Sequence, residues 1–214
     1  MKSIVKYESI IDHYESCLAE YGDSHLGVDW PNKQDAEKRY QVMLEVIRDD
    51  RKGLTLLDFG CGASHLYGYI RDNEFSGLEY HGLDISPAFY TLSRNKYPET
   101  NYYCMDVLAK PNQLQSYDYI IMNGIFTEKR EMEFDEMFEY FKNMLRVVFP
   151  KVRRGLAFNV MSKHVEWERD DLFHMPIDTL VSFLTMELSR NFIIRNDYGL
   201  YEYTVYLYKE PNHG

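Results

Sequence analysis

An acid and two glycines at alternate positions, Asp58-Phe59-Gly60-Cys61-Gly62, form the part of this 214-residue chain whose residue types and spacing could do chemistry. The stretch closes the apolar run Leu54-Thr55-Leu56-Leu57 and precedes Ala63-Ser64-His65, so it predicts a buried strand turning sharply into a helix. Glycines lack a Cβ and let a ligand approach the backbone, while the start of the next helix offers unpaired N–H groups to an anion. The Asp58 carboxylate repels phosphate and can pair with a ligand ammonium, which argues against a pyrophosphate. A dinucleotide fingerprint, G-x-G-x-x-G, would also need glycine where His65 stands.

Two later acids repeat the placement. Residues 79–86 (EYHGLDIS) read as a second strand ending in Asp84, and residues 101–108 (NYYCMDVL) as a third ending in Asp106. LLDFGCGASHL with these acids resembles the first motif of class I S-adenosylmethionine-dependent methyltransferases, although Ala63 and Ser64 stand where that motif often has Gly. The resemblance implies S-adenosyl-L-methionine as cofactor, with Asp58, Gly60 and Gly62 at its turn. It implies Asp84 on the ribose hydroxyls with Ile85 beside it, and Asp106 on the adenine amino group with Val107 beside it. The fold implied is α/β: a Rossmann-like, doubly wound sheet of seven strands in the order 3-2-1-4-5-7-6.

The pattern along the chain agrees with that expectation. From Leu54 onward, strand and helix patterns alternate: helix 65–73, helix 87–97, strand 117–126, a long amphipathic helix from Phe134 to Val148 stopped by Pro150, strand 155–162, a loop 164–175 and a last helix 176–190. Residues 191–197 and 201–209 are joined too tightly for a parallel crossover and must form a C-terminal antiparallel hairpin. Before this domain, 51–214, lies an N-terminal helical cap, 1–50. Its first helix carries Ile4, Tyr7, Ile11, Tyr14 and Leu18 on one face, and a second follows Trp30-Pro31. Neither helix is needed to complete a doubly wound sheet, so the cap is expected to close the site, with Trp30 shielding the cofactor and Arg39 free for its methionine carboxylate.

Methyl transfer is an in-line displacement that needs orientation, desolvation and, for a neutral acceptor, a proton sink. Asn123, in Asn123-Gly124-Ile125-Phe126 at the end of strand four, is expected near the reacting centre. It departs from the Asn/Asp-Pro-Pro-aromatic motif of enzymes that methylate base amino groups. Asn159 and the loop carrying His164 and Trp167 are expected over the acceptor, with His164 as base and His25 as its competitor. His81 and the tyrosines of YEYTVYLYK read as packing, and the acids between Glu131 and Glu139 as a solvated helix start. The segments GVDWP, GLAFNVMSKHVEWERDD, LSRNF and NDYGLYEYTVYLYK also resemble small bacterial class I methyltransferases. Many of these are presumed to serve polysaccharide or secondary-metabolite pathways, which implies a small-molecule acceptor.

Composition bounds the alternatives. A net charge of −10 opposes binding to nucleic acid. No apolar run is long enough for a bilayer, and the amphipathic N-terminus is unlike a leader peptide, so a cytoplasmic location is expected. Cys17, Cys61 and Cys104 include no C-x-x-C pair, and no disulfide, zinc or iron–sulfur site is indicated. A dinucleotide-dependent oxidoreductase and a catalytically silent cofactor-binding module are the competing readings. The oligomeric state is not legible.

Overall fold

A computed structural model describes residues 7–48, 52–73, 75 and 77–212. Its centre is β1 (Leu54–Phe59), whose side chains are almost all buried, as expected of a strand covered on both faces. Parallel neighbours flank it: β2 (Leu78–Asp84) on one side and β4 (Tyr117–Phe126) on the other. β3 (Asn101–Cys104) pairs outside β2, and β5 (Val152–Ser162) outside β4. The two-residue β6 (His174–Met175) adds to the end of β5, and β7 (Phe192–Arg195) and β8 (Glu202–Tyr208) form the hairpin, with β8 antiparallel to β5. The order is β3-β2-β1-β4-β5-β8-β7, the expected topology with the hairpin renumbered by the insertion of β6.

β6 lies within the segment expected to be loop. His174 anchors it by donating from Nδ1 to the Ser162 carbonyl at 2.7 Å and accepting the Arg169 N–H on Nε2. The last helix is also shorter than its sequence pattern, α6 (Ile177–Phe183) passing into a wide π turn at Leu184–Leu188.

Helices cover both faces. α5 (Phe134–Val148) starts from a reciprocal Glu133/Glu136 capping box and buries Met137, Phe141, Met144, Leu145 and Val148 on one face of the sheet. α2 (Lys33–Leu44) and α3 (His65–Asp72) cover the other, and α4 (Pro87–Lys96) packs beside β2 and β3. α2 corrects the expectation of a dispensable cap. Ala36, Tyr40, Val42, Met43 and Leu44 are buried with Leu56, Ile121 and Ala157 of the sheet, so α2 is a core layer. Only α1 (Glu8–Tyr21), with Ile10 as its buried side chain, lies over the sheet's carboxyl end as a separate cover; Ile4 falls outside the described residues. Among the described residues no helix is long and apolar enough to cross a membrane.

Candidate active site

The turn after β1 has the backbone that its glycines allow. Gly60 (φ +75°) leaves no room for a side chain, because a Cβ there would meet Cδ1 of Ile125 at 2.1 Å. The N–H groups of Gly60 and Cys61 both donate to the Leu83 carbonyl, at 2.7 and 3.0 Å, pinning the turn to the end of β2. The next N–H, from Gly62, donates to Asp84 Oδ2 at 2.8 Å, and the Ser86 N–H donates to Oδ1 at 2.9 Å. Ser86 also caps α4 and donates a short hydrogen bond to Glu15 of α1. Asp84 thus shapes the turn while facing the cavity beside it.

Asp58 and Asp84 are only 3% and 8% exposed, and among the described residues no Lys or Arg pairs with either. Burial pushes the Asp84 carboxyl up to about 6, against hydrogen bonds from Ser86 and Gly62 that lower it. Burial also raises Asp58 to about 7, with Asp84 adding repulsion and the 2.6 Å hydrogen bond from Tyr80 opposing the rise. Asn123 Oδ1 is buried in the same wall without a partner. Two uncompensated acids and an orphaned acceptor suit a ligand that brings a cation and N–H or O–H donors.

The cavity has a volume of about 150 Å³ and is walled by the turn, by Ile85, Asn123 and Ile125, and by aromatic side chains including Trp30, Tyr40 and Tyr140. Its roof is α1, which contributes Tyr7, Ile10, Ile11 and Tyr14. Tyr14 reaches the Gly124 carbonyl at 3.3 Å. This volume is below the roughly 300 Å³ at which ligand pockets begin.

Asp58, Gly60, Gly62, Asp84, Ile85, Asn123 and Trp30 all line this cavity. Others are corrected. Arg39 is not free for a carboxylate: its Nε donates to Glu202 at 2.9 Å and its guanidinium stacks 4.2 Å from the Trp30 ring centroid. Asn159 is fully buried between Gly124 N–H, which it accepts at 2.8 Å, and Glu202, to which it donates at 3.0 Å. His164 and Trp167 lie on an exposed loop away from the cavity wall, and Trp167 packs against Tyr201 instead. The end of that loop is paired to β5 through β6. His25 is held by the Trp30 carbonyl at 2.7 Å. Asp106 accepts the Tyr7 hydroxyl at 2.8 Å and the Leu108 and Ala109 N–H groups, two residues beyond the end of β3, while Val107 is packed in the core.

Tyr80, Ser86, Glu15 and Tyr140 were missed by sequence reasoning. The aromatic face of α1, with Tyr7 and Tyr14 at helical spacing, was the one signal pointing to the roof.

A methyltransferase-domain family model matches residues 57–150, from the turn through α5. A presumptive methyltransferase of Mycobacterium tuberculosis, Rv1506c, is 26% identical over 155 residues, 71% of this chain and 91% of that protein. The magnesium protoporphyrin IX methyltransferase ChlM of Synechocystis PCC 6803, solved with bound S-adenosylmethionine, shares the fold with a TM-score of 0.66 at 16% identity, covering 98% of this chain and 100% of its own. Residues 57–150 thus match a methyltransferase domain, set in a chain that has the fold of S-adenosylmethionine-dependent methyltransferases. S-adenosylmethionine, the methyl donor bound in the Synechocystis enzyme, carries a sulfonium and an ammonium, which suit a cavity with buried acids. The fold is also shared by the small RNA methyltransferase HEN1, with a TM-score of 0.58 and 16% identity over 83% of this chain and 26% of that one.

Proposed function

We propose that this methyltransferase transfers the methyl group of S-adenosylmethionine to a small molecule, a sugar or another polysaccharide or secondary-metabolite precursor, enclosed beneath α1 and Trp30. The observation that carries the reading is the aromatic-walled cavity lined by Asp58, Asp84 and Asn123. In this reading Gly60 and Gly62 let the cofactor approach the turn, Asp84 takes the ribose hydroxyls, and Asp58 and Asn123 receive the ammonium end. The cofactor supplies an activated methyl group; the chain supplies orientation and exclusion of water.

No general base is assigned. Among the described residues His65 is the only histidine in the wall, and its Nε2 is held by Asp23 at 2.7 Å. Tyr14 lines the wall too, but burial raises its hydroxyl far above the working range of a base. An acceptor that arrives already nucleophilic suits such a site. A small acceptor is supported further by the net charge of −10 and, among the described residues, the absence of Lys or Arg from the cavity wall, both unfavourable to a phosphate backbone.

The test supplies methyl-labelled cofactor and the full chain with a cell extract split into small-molecule, RNA and protein fractions. Label entering the small-molecule fraction, and lost with Asp84→Ala, is expected. Label in ribonuclease-sensitive material would overturn the small acceptor while leaving methyl transfer intact.

A further inference from the structure

Away from the acids of the cavity, three groups of different chemistry converge where α1 meets the loop before α2. His13 and Cys17 stand four residues apart on one face of α1, and Asp29 follows the short 3₁₀ turn Leu26–Val28. His13 Nε2 lies 2.8 Å from Asp29 Oδ2 and 3.9 Å from Cys17 Sγ, and one ligand atom from each residue lies within 4.8 Å of the others. The three side chains are half-buried.

Such a trio could be a nucleophile, a base and an orienting acid. The geometry excludes this, because Cys17 and Asp29 meet the same ring nitrogen. A histidine that accepts the thiol proton on Nε2 must be oriented through Nδ1. Convergence of sulfur, nitrogen and oxygen on one point is instead the arrangement of a coordination centre. We propose that His13, Cys17 and Asp29 bind a zinc ion that fastens α1 to the loop carrying Val28 and Trp30, with water completing the tetrahedron.

The donor set selects the ion. A thiolate and an imidazole are poor ligands for calcium or magnesium and good ones for zinc, with a carboxylate as an acceptable third. Zinc bonds of about 2.0–2.3 Å place neighbouring ligand atoms about 3.3–3.6 Å apart, so the His13–Asp29 and His13–Cys17 spacings need to change by only about half an ångström. Asp29, 35% exposed on its side chain, can make that adjustment, whereas His13 and Cys17 are set by the helix.

His13 also lines an open cleft with Ser9, Asp12, Ser16 and Arg130, which provides an entry path. Since α1, Val28 and Trp30 all wall the cofactor cavity, the ion would hold its cover closed. No local pattern records this site, because Asp29 is joined to the His13–Cys17 pair only by folding.

The experiment uses the full untagged chain after treatment with a chelator. Cobalt(II), the spectroscopic stand-in for zinc, is added first, and zinc is then titrated against a chromophoric competitor. The expected result is one ion per chain, a thiolate-to-cobalt charge-transfer band and tetrahedral visible absorption. The band should vanish in Cys17→Ser, and zinc affinity should fall in both His13→Gln and Asp29→Asn. Losing a ligand should cost more than losing an outer partner, which already weakens metal sites about 10–100-fold. Circular dichroism confirms that each variant is folded, and Cys17→Ala serves if Cys17→Ser is not. Absence of the band from the parent chain, or zinc binding unchanged in both Cys17 and His13 variants, overturns the assignment.

Discussion

Arg39 Nε on α2 lies 2.9 Å from the carboxylate of Glu202 on β8, and this pair closes a ring around one side of the cofactor cavity. Glu202 Oε1 accepts from Asn159, Asn159 accepts the Gly124 N–H, Gly124 abuts the Trp30 ring, and Trp30 stacks under Arg39. With Glu202 only 1% exposed, Arg39→Ala leaves a buried anion without its cation. A loss of about 3 kcal/mol in urea denaturation is expected, much of it recovered in Arg39→Met/Glu202→Leu. If the single variant unfolds at the parent's urea concentration, the pair contributes only as a surface bridge would.

Asp84 is expected to matter twice, for the turn and for the cofactor. Asp84→Ala removes the acceptor for the Gly62 and Ser86 N–H groups together with the proposed ribose contact. Calorimetric affinity for S-adenosylmethionine should fall by about ten- to a hundredfold, equivalent to about 1.5–3 kcal/mol. A folded Asp84→Ala chain that binds as tightly as the parent would remove the carboxylate from the site.

The pH dependence has a defined sign. Asp58 and Asp84 rise to about 7 and about 6 in the folded chain from an ordinary 3.8, so the folded state holds protons that the unfolded chain has released. Their contribution to stability is therefore fully present below about pH 4 and is lost as pH rises through about 7. Asp58→Asn keeps an acceptor for the Tyr80 hydroxyl and removes the charge. The variant should be more stable than the parent at pH 8, the two converging at pH 4, as followed by thermal unfolding. At pH 6.5, cofactor binding to the parent should release protons, so its apparent heat should vary with the buffer's ionisation enthalpy.

α1 and α2 should separate on truncation. A chain beginning at Ser24 loses the roof but keeps α2, and should fold with cofactor affinity reduced by at least about tenfold as the cavity opens to water. A chain beginning after residue 48 also loses the buried side chains of α2. At about 1.5–3 kcal/mol each, these amount to the whole stability of an ordinary domain, so the shorter chain should not fold. Full affinity in the first truncation would show that α1 is not a cover.

The relationships that the sequence determined by itself are those set by neighbours along the chain. Asp58, Gly60 and Gly62 lie within five residues, where backbone sterics alone force the strand to turn. Alternating apolar strands and helices similarly required a parallel sheet, and the short link between β7 and β8 required a hairpin. Tertiary structure alone decided where side chains went once several elements competed for them. Arg39 looked free on its own helix, but β8 brings Glu202 to it from 163 residues away, and a buried carboxylate outcompetes solvent for the guanidinium. Asn159 was absorbed because the Gly124 N–H needed an acceptor where β4 bulges away from β5. His164 and Trp167 pointed toward the acceptor only while their loop was taken to be unpaired; two residues of β6 redirected it, since backbone groups at a sheet edge seek a partner. Hydrophobic period located the faces of α1 and α2, but which became roof and which became core depended on the surface each met, and no local pattern records that.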